Sequence, residues 1–296
     1  FRLIDGRETG SSEEHRARAH PSQPFFVTIN DDTGEVLEVI ESDSAQHPLS
    51  NLADIRTPRD ARNEEFFYFV APYAQGSLVR NLLSHCFGLR RAEKRQDPES
   101  LDVIEGALNL NLYSRQGLIN AKELDLVGRS LVDLYDTSYF YEGIQLFSPE
   151  HRARGFFMME HPIHSAEKLF LAAKARGAIK ANMKFVSYPN STNYVDNFYV
   201  RSLTNALRGE LTHEHLLVAK GIIARKFMIG IADYLAESMK RLRVYYNLKE
   251  TSENCVTLNL NEAQEREEPY KTKRGSDGWN AVALVNRFDV SLLNYV

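Results

Sequence analysis

Two kinds of apolar pattern alternate along this chain: short aromatic and β-branched runs, and longer stretches with helical spacing. Residues 1–24 are polar and charged without a sustained period, which predicts an extended arm. Phe25–Ile29 and Val36–Ile40 flank Asp31-Asp32-Thr33-Gly34, the pattern of a β-hairpin, and residues 41–64 are polar again. Phe66–Val70 reads as a buried strand that feeds a turn at Ala71–Ser77. A helix follows, with Leu78, Leu82, Leu83 and Cys86 on one face and Gly88 as its stop. Leu108–Leu112 predicts a strand, and Gln116–Leu126 and Ser138–Phe147 predict helices. A second strand-to-helix unit comes from Gly155–Met159, a break at Pro162 and helical spacing over Ser165–Ala175. Asn193–Leu207 predicts a helix, as does the stretch after Thr212, a good N-cap, to about Arg225. Lys226–Ile231 predicts a strand, Asp233–Tyr246 an amphipathic helix and Val256–Leu260 another strand. Trp279–Asn286 and Val290–Tyr295 close the chain with short helices. No repeat of fixed period is present.

This alternation predicts an α/β fold: a central, mainly parallel sheet flanked by helices over residues 65–296, preceded by a polar N-terminal arm over 1–64. A length of 296 residues suits one large domain of this kind. The net charge of −4 supplies no global basic field, so nucleic acid is not expected as a partner and any anion must be held by a local site. No apolar run is long enough to span a bilayer. The chain opens on Phe1, and the sequence is silent on any leader or anchor segment. Of the 2 cysteines, Cys86 sits in an apolar helical pattern that favours a buried thiol over a bond to Cys255.

The turn at Ala71–Leu78 is the sharpest chemical feature. A strand feeding a helix through a glycine-containing turn aims backbone N–H groups at one spot, and the helix start adds partial positive charge. Gln75, Gly76, Ser77 and Leu78 are therefore the candidate anion-holding residues, although the form with Lys-Ser/Thr after a second glycine is absent. His213 and His215 lie two apart near a helix start and face different directions, so no metal site is expected there.

Phe66–Leu89, FFYFVAPYAQGSLVRNLLSHCFGL, resembles the 5′-phosphosulfate loop of sulfotransferases that use 3′-phosphoadenosine 5′-phosphosulfate (PAPS). In that loop a strand precedes Pro-Lys-x-x-Gly-Ser/Thr-x-x-Leu and a helix. Phe156–Phe170, FFMMEHPIHSAEKLF, resembles the same family's 3′-phosphate segment, a strand followed by Arg-x-Pro-x-x-Arg-x-x-Ser. The likeness continues through Asn197–Leu207, Leu211–Met239 and Trp279–Tyr295, covering about residues 64–296 in the expected order. It implies a sulfotransferase fold related to the P-loop NTPases, PAPS or adenosine 3′,5′-bisphosphate as cofactor, and a glycan or small-molecule acceptor. It also implies the secretory-pathway (Golgi) lumen as location.

Against that pattern the charged residues have changed. The loop lysine falls on Tyr73, the two arginines fall on Glu160 and Ser165, and the serine falls on Lys168. A doubly charged phosphate needs compensating cations, and Glu160 puts a negative charge in their place. Lys168, Arg274 and its neighbours Lys271 and Lys273, and Arg80 are the possible replacements, each read by default as a solvated surface cation. If chemistry survives, Glu142 is the candidate base, with His161 behind it. The expectation is therefore a sulfotransferase-fold protein without efficient catalysis, acting as a binding or structural subunit with the N-terminal arm as its docking element. The alternative is an active PAPS-dependent enzyme that sulfates a hydroxyl or amine.

Overall fold

A computed structural model describes residues 14–17, 25–30, 36–41, 48–71, 74–97, 99–192, 194–266 and 270–296. Its first elements are β1 (Glu14–Ala17), β2 (Phe25–Asn30) and β3 (Val36–Glu41), an antiparallel sheet in that order. β2 and β3, the two runs expected to form a hairpin, pair antiparallel, and residues 31–34 between them lie outside the described residues. β1 lies within residues 1–24, the stretch expected as an extended arm.

The main body follows: β4 (Glu64–Phe69), α1 (Gly76–Asn81), β5 (Val103–Ile104), β6 (Ala107–Leu108), α2 (Arg115–Glu123), β7 (Leu134–Thr137) and α3 (Phe140–Ile144). Next come β8 (Arg152–Met159), α4 (Pro162–Ala175), α5 (Phe198–Leu203), α6 (His213–Lys226) and β9 (Phe227–Ile231). The last four elements are α7 (Leu235–Tyr246), α8 (Cys255–Arg266), α9 (Asp277–Val285) and α10 (Arg287–Leu293). The N-terminal hairpin lies against α6.

β7, β4, β8 and β9 form one four-stranded sheet in that order, every pair parallel, with helices flanking it. The α/β expectation is met. The buried runs of β4 and β8 read as near-continuous apolar sequence because both faces of a parallel sheet are covered. Gly155 allows β8 and β9 to approach, since a Cβ there would stand 2.5 Å from the Lys226 carbonyl oxygen. In sequence terms the sheet order is second, first, third, fourth. The order therefore reverses between β4 and β8, and the crevice beyond their C-terminal ends is where open α/β sheets bind ligands.

Several expected elements differ. β7 is a sheet strand that the hydrophobic pattern did not single out, because Asp136 interrupts a four-residue run. Leu108–Leu112 contributes only the short ladder of β6 with β5. Val256–Leu260 is helical rather than a strand. Its alternating residues suggest period two, but Leu258 is exposed whereas Cys255, Val256, Asn259 and Leu260 are buried or half-buried, the spacing of a helix face. The buried-thiol expectation for Cys86 is also corrected: Cys86 and Cys255 form a disulfide that ties the turn after α1 to the start of α8. The aromatic stretch from 139 to 157 is core as expected, with Phe140, Tyr141, Phe147, Phe156 and Phe157 all buried.

At the opposite end of the sheet from the crevice, the Arg154 guanidinium and Glu64 carboxylate are fully buried and bonded at 2.6 Å. Arg154 also donates to the Thr57 carbonyl at 3.1 Å and to the Tyr245 hydroxyl. Removing one partner leaves an uncompensated buried charge, whereas replacing both with apolar groups of similar size does not. Glu64→Ala is expected to cost about 3–5 kcal/mol in urea unfolding, and the Glu64→Leu/Arg154→Met pair distinctly less.

Candidate functional site

The first wall of the crevice grows from the turn between β4 and α1. Gln75 holds a left-handed backbone at φ 56° and precedes the helix, where its carbonyl accepts from Val79 N–H at 2.9 Å. Gly76 is packed so closely that a Cβ would meet Val70 Cγ1 at 2.6 Å, which explains glycine at this point. Pro72 and Tyr73 lie outside the described residues.

A cation does stand beside Ser77. Arg80 donates from Nη2 to the Ser77 hydroxyl at 3.2 Å and from Nε to the Gly76 carbonyl at 3.3 Å. Its guanidinium lies 4.7 Å over the Tyr113 ring and 3.8 Å from Asp136 Oδ2. The reading of Arg80 as a solvated cation is thereby corrected, its side chain being only 23% exposed. Asp136 is buried and accepts from Tyr113 OH at 2.6 Å, while its other oxygen and the buried Tyr68 hydroxyl have no hydrogen-bond partner among the described residues. Burial pushes the Asp136 carboxyl above its ordinary range, against the pull of the Tyr113 bond and Arg80.

The second wall grows from the turn between β8 and α4. Glu160 is 1% exposed. One of its oxygens accepts from Ser165 Oγ at 2.9 Å; the other accepts from Lys168 Nζ at 2.6 Å and from the Tyr270 hydroxyl. Its backbone is fixed by Tyr199, whose hydroxyl accepts from Glu160 N–H and donates to Glu160 C=O. Pro162 opens α4 at the position that needs no N–H, and His161 caps it through Nδ1, which accepts from Ile163 N–H at 3.4 Å. Burial, with the nearby His164 and Arg274 charges, lowers the His161 pKa against an opposing effect of Asp233.

Between the walls is a cavity of about 250 Å³ lined by Gln75, Leu78, Glu160, Asp233, Leu260 and Tyr270, among others. Among the described residues no lysine or arginine lines it, and the charged groups on its wall are the carboxylates of Glu160 and Asp233. Of the residues singled out from sequence, Gln75 and Leu78 line this cavity, and Gly76 and Ser77 start the helix beside it. Lys168 does swing toward the crevice, but it lands on Glu160. Arg274 is exposed and is not among the residues lining the cavity; its charge is felt by His161. Glu142 stands elsewhere, after β7, paired with Arg115 at 3.4 Å and absent from the cavity wall.

Tyr270, Asp233, Asp136 and Tyr113 are site residues that the sequence reading missed. Only Asp136 carried a signal, an acid inside an apolar run. His215 closes a capping box with Thr212 at the start of α6, and among the described residues no group of three or more His, Cys, Asp and Glu side chains converges as for a metal ion. No protein-family model matches the chain, and no curated protein matches it either.

A reciprocal lock supports the second wall from behind. Asn197 Oδ1 accepts from Phe288 N–H at 2.9 Å and Asp289 N–H at 3.2 Å, and the Asp289 carboxylate accepts from Tyr199 and Val200 N–H, both at 2.9 Å. The lock holds Tyr199, and through it Glu160. Burial pushes the Asp289 carboxyl up to about 7, against those two backbone bonds. Its folded pKa lies above the unfolded one, so this contribution to stability is complete below about pH 4 and is lost as pH rises through about 7. Between pH 4 and 7 the wild type should lose on the order of 2–4 kcal/mol relative to Asp289→Asn, read as the pH dependence of the difference in urea unfolding.

Proposed function

We propose that this chain is a sulfotransferase-fold protein whose nucleotide crevice no longer serves PAPS, and that it acts as a binding or structural subunit of a larger assembly. One observation carries the reading: the buried Glu160 carboxylate occupies the position where the resembled family places an arginine for the 3′-phosphate, and it takes Lys168 as its own counterion. A phosphate placed there would face a carboxylate whose counterion Lys168 is already engaged, and among the described residues no further lysine or arginine lines the cavity. The residues present do not fit PAPS at this end.

The parallel sheet, its order reversal between β4 and β8, and a strand-to-helix turn after each of those strands support the family resemblance. β1 and β3 are the edges of the N-terminal sheet among the described residues, and an edge strand is a ready template for a partner's backbone. That supports docking through the N-terminal segment. Among the described residues no helix is long and apolar enough to cross a membrane. The Cys86–Cys255 disulfide supports an oxidising compartment such as the secretory lumen.

Arg80 favours a second reading. A guanidinium beside Ser77 supplies the cation that Tyr73 withholds, and on that basis an active PAPS-dependent enzyme acting on a hydroxyl or amine of a glycan or small molecule remains the competitor.

Calorimetric titration with adenosine 3′,5′-bisphosphate decides between them. No binding at millimolar nucleotide is expected, together with a stoichiometric partner that co-purifies and is lost on deletion of residues 1–40. Micromolar binding that weakens on Arg80→Ala would establish the enzyme reading instead.

A further inference from the structure

The face of α4 that borders the crevice is used by the chain itself. Residues 164, 167 and 168 lie on one face of α4 and Glu160 stands just before the helix, and all four side chains hold the short strap Tyr270–Thr272. The Tyr270 ring lies parallel to the His164 imidazole, with centroids 3.8 Å apart and planes 9° apart. Lys168 Nζ stands 5.2 Å from the centre of the same ring, and the phenol donates to Glu160. The Glu167 carboxylate accepts from Lys271 N–H at 2.9 Å and Thr272 N–H at 3.1 Å. A flat imidazole face, an ammonium near the ring and a carboxylate at its polar tip are the three contacts that recognise an aromatic molecule bearing a hydrogen-bond donor. His164 Nδ1 adds a buried polar atom with no hydrogen-bond partner among the described residues. Tyr270 also lines the 250 Å³ cavity, so withdrawing its side chain joins its place to that space.

We propose that the crevice is a seat for an aromatic ring that the chain occupies in cis: Tyr270 fills the place that a small phenol-like molecule takes when the Tyr270–Thr272 strap lifts. The proposal deepens the functional reading above and rests on it, because a ligand that satisfies Glu160 must bring a donor rather than a phosphate. The exchange needs no covalent step. The bond from the Tyr270 hydroxyl to Glu160 is replaced by one from the incoming phenol, and His164 keeps a ring on its face.

The probe is 4-methylphenol, which is the tyrosine side chain as a free molecule, compared with toluene, which lacks the donor. In thermal melts of the full chain, millimolar 4-methylphenol is expected to raise the midpoint of Tyr270→Ala by about 2–4 °C and to leave the wild type unmoved. Toluene should give less than half the effect, since it leaves Glu160 without its donor. If neither molecule moves the folded variant, or if toluene acts as strongly as 4-methylphenol, the proposal is wrong. Should Tyr270→Ala fail to fold, Tyr270→Phe carries the test. Loss of the hydroxyl should speed amide exchange at Lys271 and Thr272 about tenfold, and unchanged exchange overturns the proposal. Titrating adenosine 3′,5′-bisphosphate into the same samples separates the two claims, because nucleotide binding to the wild type sinks the functional reading while leaving the phenol result to stand or fall alone.

Discussion

The Glu160 carboxylate is the group around which this crevice is organised. A carboxylate removed from water carries a large desolvation cost, which only close donors offset. Here Ser165, Lys168 and Tyr270 all turn toward it, and Tyr199 fixes its backbone. Each of these groups would be directed differently if the tip of β8 carried a cation. Lys168 is a countercharge because Glu160 is an anion, and the strap is drawn inward because its phenol can donate to that anion. The asparagine and aspartate lock between α5 and α10 extends the same dependence to the C-terminal helices, because it positions Tyr199.

The two sides of the β4 turn have opposite electrostatic character. Toward β8 the crevice shows carboxylates and apolar surface. Toward β7, Arg80 lies against Ser77 with the buried Asp136 behind it. Phosphate chemistry would draw on cations on both sides of one ligand, and toward β8 the cation, Lys168, is already bonded to Glu160. The disulfide adds a mechanical constraint. It joins the turn after α1 to α8, whose Leu260 and Ala263 form part of the cavity wall, so the helix that follows the β4 turn and the helix that walls the crevice are held as one unit.

Much of this architecture could be read from the residue pattern, and the exceptions have physical causes. Long apolar runs such as Phe66–Val70 and Gly155–Met159 identify the central strands because both sheet faces are buried. Pro162 and Thr212 mark helix starts because their chemistry fits the first turn. β7 escaped notice because its Asp136 is an acid whose partners, Tyr113 and Arg80, lie 23 and 56 positions back in the chain. The helix at 255–266 was misread because alternation over five residues fits either period until a tertiary tie such as Cys86–Cys255 fixes the inward face. The substituted charges at Glu160, Ser165 and Lys168 were legible as departures from a motif. That Lys168 would answer Glu160, and that Tyr270 would arrive from more than a hundred residues away, depends on long-range folding that no local pattern encodes.

The most direct measurement of the central claim compares adenosine 3′,5′-bisphosphate affinity between the wild type and Glu160→Gln, a change that removes one negative charge and preserves shape. If the buried anion closes the crevice to phosphate, the variant binds at least about tenfold more tightly than the wild type, in line with the loss of a repulsive buried charge. Equal affinity in the two proteins would contradict the account.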